Sequence, residues 1–343
     1  MKFFLIFLFS LSLQAETRWI TDDFFVSVAP HDSEGVREIP KDCRAHIKKA
    51  VCLVSSNPNE MDCNDRKCLP GSENYAIHFE RLYDAYPEAL KKMFCHLDNI
   101  FIENNFFGTA YAGSASDPSG KITRVCIGIR KSVIDANLNL EQWASWKEQL
   151  SFGGEKESYS LTPGLPYIQS KTEKPVNDFL YFVIAHEFGH QFDFANQLNE
   201  YKDPKCIENE KAECELVPGS YGSLSWLTDK TVKPEFEFPH RKDLCFYDCK
   251  GKKIPSAGQG PLYEALHTRT PFLSTYSVTE PWDDFADSVA YIVAHKQLKS
   301  NYDLYADGKQ YSTMAKISAP IFKPKYDYIT RFLARKDIKY PKD

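Results

Sequence analysis

The stretch Phe179-Leu-Tyr-Phe-Val-Ile-Ala-His186-Glu187-Phe-Gly-His190-Gln-Phe-Asp193 leaves this chain few ways to fold. Apolar residues fill most positions from Phe179 to Phe188, too densely for a solvated helix, so the element has to be buried. On a helix, residues four apart stand one turn above each other, which sends His186 and His190 out from one face. Two imidazoles at that spacing suit one Zn²⁺, and Glu187 falls beside the ion's open coordination position. Burying two imidazoles and a carboxylate in an apolar helix is costly without compensation, and a metal ion supplies it. A chance match to the pattern would more often fall on a polar or loop segment. Pro175 stands where a helix start favours proline.

A zinc site with two histidines needs a third protein ligand. The metzincin continuation requires Gly at 193 and His at 196; Asp193 and Asn196 exclude it. The other common solution is a carboxylate on a second helix. The segment Glu280-Pro281-Trp-Asp283-Asp284-Phe-Ala-Asp287 offers one, with proline at the start and acids in the first turn, where the helix dipole favours them. Asp283 and Asp287 share a face, while Phe285, Val289 and Ile292 can pack on another. Asp283 is the expected third ligand, with Asp284 and Glu280 as rivals. Asp287, one turn on, is positioned to accept a hydrogen bond from a ligand histidine and fix its tautomer. Asp193 is a further candidate to support the ligands from behind.

His186-Glu187-x-x-His190 followed downstream by Asp283-x-x-x-Asp287 resembles the gluzincin metallopeptidases, whose third ligand is an acid opening such a helix. More narrowly, Tyr276 standing seven residues before Asp283 resembles the catalytic domain of anthrax lethal factor. The resemblance covers two windows, 179–193 and 274–294, and departs from that family in having Asp283 where it has glutamate. A shorter arm calls for a closer helix. The resemblance implies an α+β, zincin-like fold: a small, mainly N-terminal sheet over the active-site helix, and a helical C-terminal half. It also implies that Tyr276 stabilises an oxyanion or protonates a leaving amine. Gly108–Gly113 would be the sheet edge along which a peptide adds as a strand. The expected activity is that of an exported zinc metallopeptidase acting on protein or peptide, with Glu187 as general base. Two alternatives stand beside it: a zinc hydrolase of a non-protein amide, such as a cell-wall or acyl-amide bond, and an idle binding protein on the same fold.

Export is read from the first fifteen residues, where Lys2 precedes about eleven apolar-rich positions and cleavage is expected after Ala15. That run is too short for a stable membrane span. Ten cysteines in an exported chain point to as many as five disulfides. The close pairs Cys63/Cys68, Cys206/Cys214 and Cys245/Cys249 suit local loops, but spacing does not dictate connectivity. A formal charge of −5 argues against a nucleic-acid partner. Oligomeric state leaves no mark on the sequence.

Residues 16–343 read as one catalytic domain, with a disulfide-tied N-terminal region (16–70) and a cysteine-containing insertion (198–260). A helix is expected around Ala45–Val54, and one or two amphipathic helices between Asn74 and Asn99 with Pro87 at a start or kink. Ile100–Glu103, Phe106–Ala112 and Ile122–Ile129 read as short strands. A helix covers Leu140–Leu150, a flexible lead-in fills 153–174, and a last helix spans Tyr326–Arg335. His240 and His267 are expected to be structural.

Overall fold

The computed structural model describes residues 38–343, apart from 56–62, 64–65, 118–120, 156–158, 174–175, 207–211, 247–248 and 250–252, together with the backbone of two N-terminal strands. The expected leader, residues 1–15, and Pro175 lie outside the described residues. In chain order the elements are β1 (Arg18–Trp19), β2 (Phe24–Ser27), α1 (Cys43–Ala50), β3 (Val51–Val54), α2 (Glu73–Ala85), α3 (Glu88–His96), β4 (Asn99–Glu103), β5 (Ala110–Ser116) and β6 (Ile122–Arg130). There follow α4 (Lys131–Asp135), α5 (Leu140–Leu150), β7 (Tyr167–Lys171) and α6 (Asp178–Asn196). Beyond a long segment of short turns come α7 (Gln259–Arg269), α8 (Pro281–Leu298), β8 (Asn301–Ala306), β9 (Lys309–Ser312), α9 (Thr313–Ile317) and α10 (Lys323–Leu333). The architecture is α+β.

The larger sheet runs β1-β2-β5-β6-β4-β3. Strands β3, β4 and β6 are mutually parallel, and β5 is antiparallel to β6. Val51 and Leu53 face the main core with Ile100, Ile102 and Ile127, while Cys52, Val54, Phe101 and Cys126 build a smaller cluster on the opposite face. Both faces are covered, so these strands read as continuous apolar runs rather than alternating ones. The helix expected over Ala45–Val54 therefore stops at Ala50. Val51–Val54 is a strand because its apolar side chains are shared between two cores and its backbone pairs with β4.

Four further expectations are corrected. Phe106 and Phe107 precede the strand rather than start it, and the Arg130 guanidinium donates to both of their carbonyls. The segment Gly108–Gly113 is not an edge, since β5 is flanked by β2 as well as β6. The lead-in 153–174 contains β7, which joins β8 and β9 in a second, antiparallel sheet, so the C-terminal half is not only helical. Ser145 in α5 anchors β7, receiving the Ile168 N–H at 2.7 Å. Finally, Cys63 and Cys68 do not pair with each other. The disulfides are Cys43–Cys95, Cys52–Cys68, Cys63–Cys126, Cys206–Cys214 and Cys245–Cys249. Near neighbours in sequence close a loop only if the chain turns back there, and the pairing of β4 with both β3 and β6 brings more distant cysteines together.

Helix α6 is the central element, buried from Phe179 through Asp193. Asn177 caps it by accepting the Leu180 N–H at 2.9 Å, and Gln197 ends it in the left-handed conformation. Helix α8 begins with Pro281 at its first turn, followed by Asp283 and Asp284. The two helices come close at Gly189, where a Cβ would lie 2.6 Å from Ala286 Cα. That contact brings the histidine face of one helix against the acidic face of the other.

Candidate metal centre

The donor residues follow from this helix pair. His186 and His190 project from α6, and Asp283 from the first turn of α8; all three are buried, and their donor atoms lie within 4.8 Å of one another. The His190 and His186 Nε2 atoms are 3.1 Å apart. Asp283 Oδ1 is 3.5 Å from His190 Nε2 and 4.0 Å from His186 Nε2. Ligand atoms about 2.0–2.1 Å from a tetrahedral ion stand about 3.4 Å from one another, and the three separations bracket that edge, the His186–Asp283 one being the longest at 4.0 Å. The donor set, two imidazoles and a carboxylate, is also one that zinc accepts. Three donors leave a fourth position for water or substrate.

The protonation states suit a ligand role. Asp287 Oδ1 lies 2.8 Å from His186 Nδ1, and a carboxylate can only accept, so Nδ1 carries a proton and Nε2 is the ring nitrogen that faces the other donors. Asp287 itself is held by the Ser274 hydroxyl, which donates to its other oxygen. His190 is kept far below the ordinary imidazole range by burial, aided by His186 and Lys147, and is therefore neutral near pH 7. Asp283 is steadied by Thr279, whose hydroxyl donates to Oδ2 at 2.8 Å.

Asp284, the rival one residue along, faces away from the group. It accepts from Lys325 Nζ at 2.7 Å and from Trp226 Nε1 at 3.1 Å. Asp193 takes the backbone N–H and side-chain amide of Asn199, and so closes the C-terminal end of α6 rather than backing an imidazole. Glu280 is not among the three converging residues. His240 pairs with Asp243, and His267 stacks on Tyr311.

Glu187, His186 and Asp287 line a small pocket of about 20 Å³, room for little more than one water, whose walls come from α5, α6, α8 and the turn into β5. Tyr276 is buried in a short turn ahead of α8, with its ring centroid 5.9 Å from that of His186. Phe246 meets the Tyr276 ring edge-on at 5.0 Å, and Lys147 Nζ lies 3.4 Å from its centroid. Neither Lys147 nor Ser274 was singled out by sequence reasoning. Lys147 follows Trp143 and Trp146 on an otherwise ordinary amphipathic helix, and Ser274 stands in a serine- and threonine-rich turn; neither position carries a spacing signal.

Comparison with known proteins finds no matching family model, no matching curated protein and no matching solved structure.

Proposed function

We propose that this protein is an exported zinc-dependent metallopeptidase of the zincin type. One observation supports it above the rest: three buried donors from two helices converge within 4.0 Å of one another, a spacing one zinc ion can bridge, next to a pocket lined by Glu187. The donors fit the ion in chemistry, since His186 turns Nε2 toward the group while Asp287 holds its Nδ1, and burial keeps His190 neutral. Five disulfides suit an exported chain, and no helix among the described residues is long and apolar enough to cross a membrane.

When bound, zinc supplies Lewis acidity, lowering the pKa of a water and polarising a carbonyl. The chain's own residues do the rest. Glu187 accepts the proton of the attacking water on its carboxylate and returns it to the departing amine nitrogen. Tyr276 directs its hydroxyl to the carbonyl oxygen as negative charge develops there. Asp287 and Ser274 hold the His186 ring against rotation while charge builds up beside it. Burial of the whole set excludes bulk water and strengthens each of these interactions.

The test is metal analysis of the purified protein together with a Glu187→Gln variant. We expect about one zinc per chain in both proteins, and peptide hydrolysis reduced about 10²–10⁴-fold in the variant. Undiminished hydrolysis by the variant would remove Glu187 from the mechanism. A native protein that takes up no divalent metal would end the proposal.

A further inference from the structure

We propose that Phe246 is a positioning residue for Tyr276, and that the Cys245–Cys249 disulfide closes a small loop that holds Phe246 in place. The consequence for turnover rests on the metallopeptidase reading; the placing of the ring does not. The turn that carries Tyr276 is fixed through its backbone. The Ser274 and Ser277 hydroxyls each accept the other residue's N–H, at 2.9 Å and 3.1 Å, and Thr279 Oγ1 donates to the Tyr276 carbonyl oxygen at 2.6 Å. Thr275 Oγ1 donates to Glu148 Oε2 at 2.7 Å and fastens the turn to α5. None of these bonds involves the phenol ring. Three groups pack around it. The His186 ring is 5.9 Å away between centroids, Lys147 Nζ lies 3.4 Å from the ring centroid, and the Phe246 ring stands at 82° with centroids 5.0 Å apart.

His186 and Lys147 belong to α6 and α5, and those helices fix their backbones. Phe246 comes from the irregular segment between α6 and α7, so other ties have to hold it. Ser151, one helical turn past Lys147, supplies the first. Its hydroxyl donates to the Cys245 carbonyl oxygen at 2.7 Å and accepts the Cys245 N–H at 3.0 Å. Its carbonyl oxygen accepts the Ile254 N–H at 2.8 Å, which anchors the chain again on the far side of the loop. Upstream, Arg241 Nη1 donates at 3.4 Å to the Val278 carbonyl oxygen, two residues beyond Tyr276. The disulfide then ties Cys245 to Cys249 across only 4 residues. A bridge so short removes little freedom from the unfolded chain, so its effect is local: it sets the path of the backbone that carries Phe246. The Phe246 side chain is buried beneath the loop rather than spread on the surface. Edge-to-face rings prefer a definite mutual angle, so Phe246 constrains the tilt of Tyr276 where an aliphatic side chain would only fill space.

The experiment uses the zinc-loaded full chain. Phe246→Ala and a Cys245→Ala, Cys249→Ala double variant are each made in the wild-type and Tyr276→Phe backgrounds, and kcat, KM and zinc content are measured with denatured casein. Both should keep zinc and KM and lose about tenfold or more in kcat, the scale on which small misplacements act. In the Tyr276→Phe background neither should lose anything further, because the group they position is gone. An equal loss in both backgrounds would make Phe246 a support of the fold only and overturn the proposal. A second readout places 3-fluorotyrosine at 276 and records its ¹⁹F resonance. The double variant keeps the Phe246 ring, so a resonance that moves there reports displacement of Tyr276, and it carries the test if Phe246→Ala does not fold. An unmoved resonance, or wild-type kcat in the double variant, would overturn the proposal. A displaced resonance in a chain that cleaves nothing would uphold the placing of Tyr276 and sink the peptidase.

Discussion

Two adjacent aspartates illustrate how much one residue step along α8 decides. Asp283 faces the imidazoles, whereas Asp284, fully buried, forms an ion pair with the equally buried Lys325. Burial holds the Lys325 ammonium down at about 8, only partly offset by Asp284. Replacing Asp283 with Ala should leave the fold intact and remove most of the bound metal. Replacing Asp284 with Ala should leave Lys325 as an uncompensated buried charge, costing about 3–5 kcal/mol, with metal occupancy changed only as far as the fold is lost. Metal analysis and urea melts on the two variants check this, and the opposite ordering would move the third ligand by one residue. Asp193 carries a pH signature. Burial pushes its carboxyl up to about 6, against the hydrogen bonds from Asn199. The folded state therefore keeps that proton between the unfolded value near 4 and about 6. The associated stability is fully present below about pH 4 and is lost as pH rises through 6, by roughly 3 kcal/mol at most. Asp193→Asn should gain on wild type by up to that amount between pH 4 and pH 7. Parallel urea-melt curves for the two proteins would contradict the assignment.

At the scale of elements, the site depends on how closely α6 and α8 approach. Gly189 lies between His186 and His190, and a methyl group there would sit 2.6 Å from Ala286 Cα. Backbone cannot yield as a flexible side chain can, so Gly189→Ala has to push the helices apart. The expected result is a loss of about 1–3 kcal/mol in stability and a clear drop in zinc affinity, measured by denaturation and by competition with a chelating dye. Unchanged affinity would mean that the donor geometry tolerates a wider helix spacing. The same closeness bears on Asp283, whose arm is one methylene shorter than glutamate yet whose Oδ1 stands 3.5 Å from His190 Nε2.

In the molecule as a whole, the covalent ties are unevenly spread. Cys43–Cys95 joins α1 to α3, and Cys63–Cys126 fastens a distant segment to β6 across 63 residues. Cys245–Cys249 spans only 4. In the chain-entropy account, the longer tie is worth about 4 kcal/mol and the shorter about 2. The Cys63→Ala, Cys126→Ala double variant should therefore lose about twice the stability of the Cys245→Ala, Cys249→Ala one, as measured by thermal and urea melts. Helices α6 and α8 carry no cysteine and are held without covalent ties, by rings such as Phe188, Phe192 and Phe285, the Gly189 contact and polar pairs such as His186–Asp287.

The motif residues His186, Glu187 and His190, the apolar burial of their helix and the acidic opening of α8 could all be read from the chain, because helical periodicity and the cost of burying charge act locally. The even cysteine number implied cross-links for the same kind of reason. Which cysteines met, and that Val51–Val54 and Tyr167–Lys171 are strands, depended on partners far along the chain. The same was true of the shielded β5 edge, the Lys325 partner of Asp284 and the pocket position of Lys147. Those outcomes are set by which surfaces come into contact once the helices and sheets pack, and no spacing along the chain encodes them.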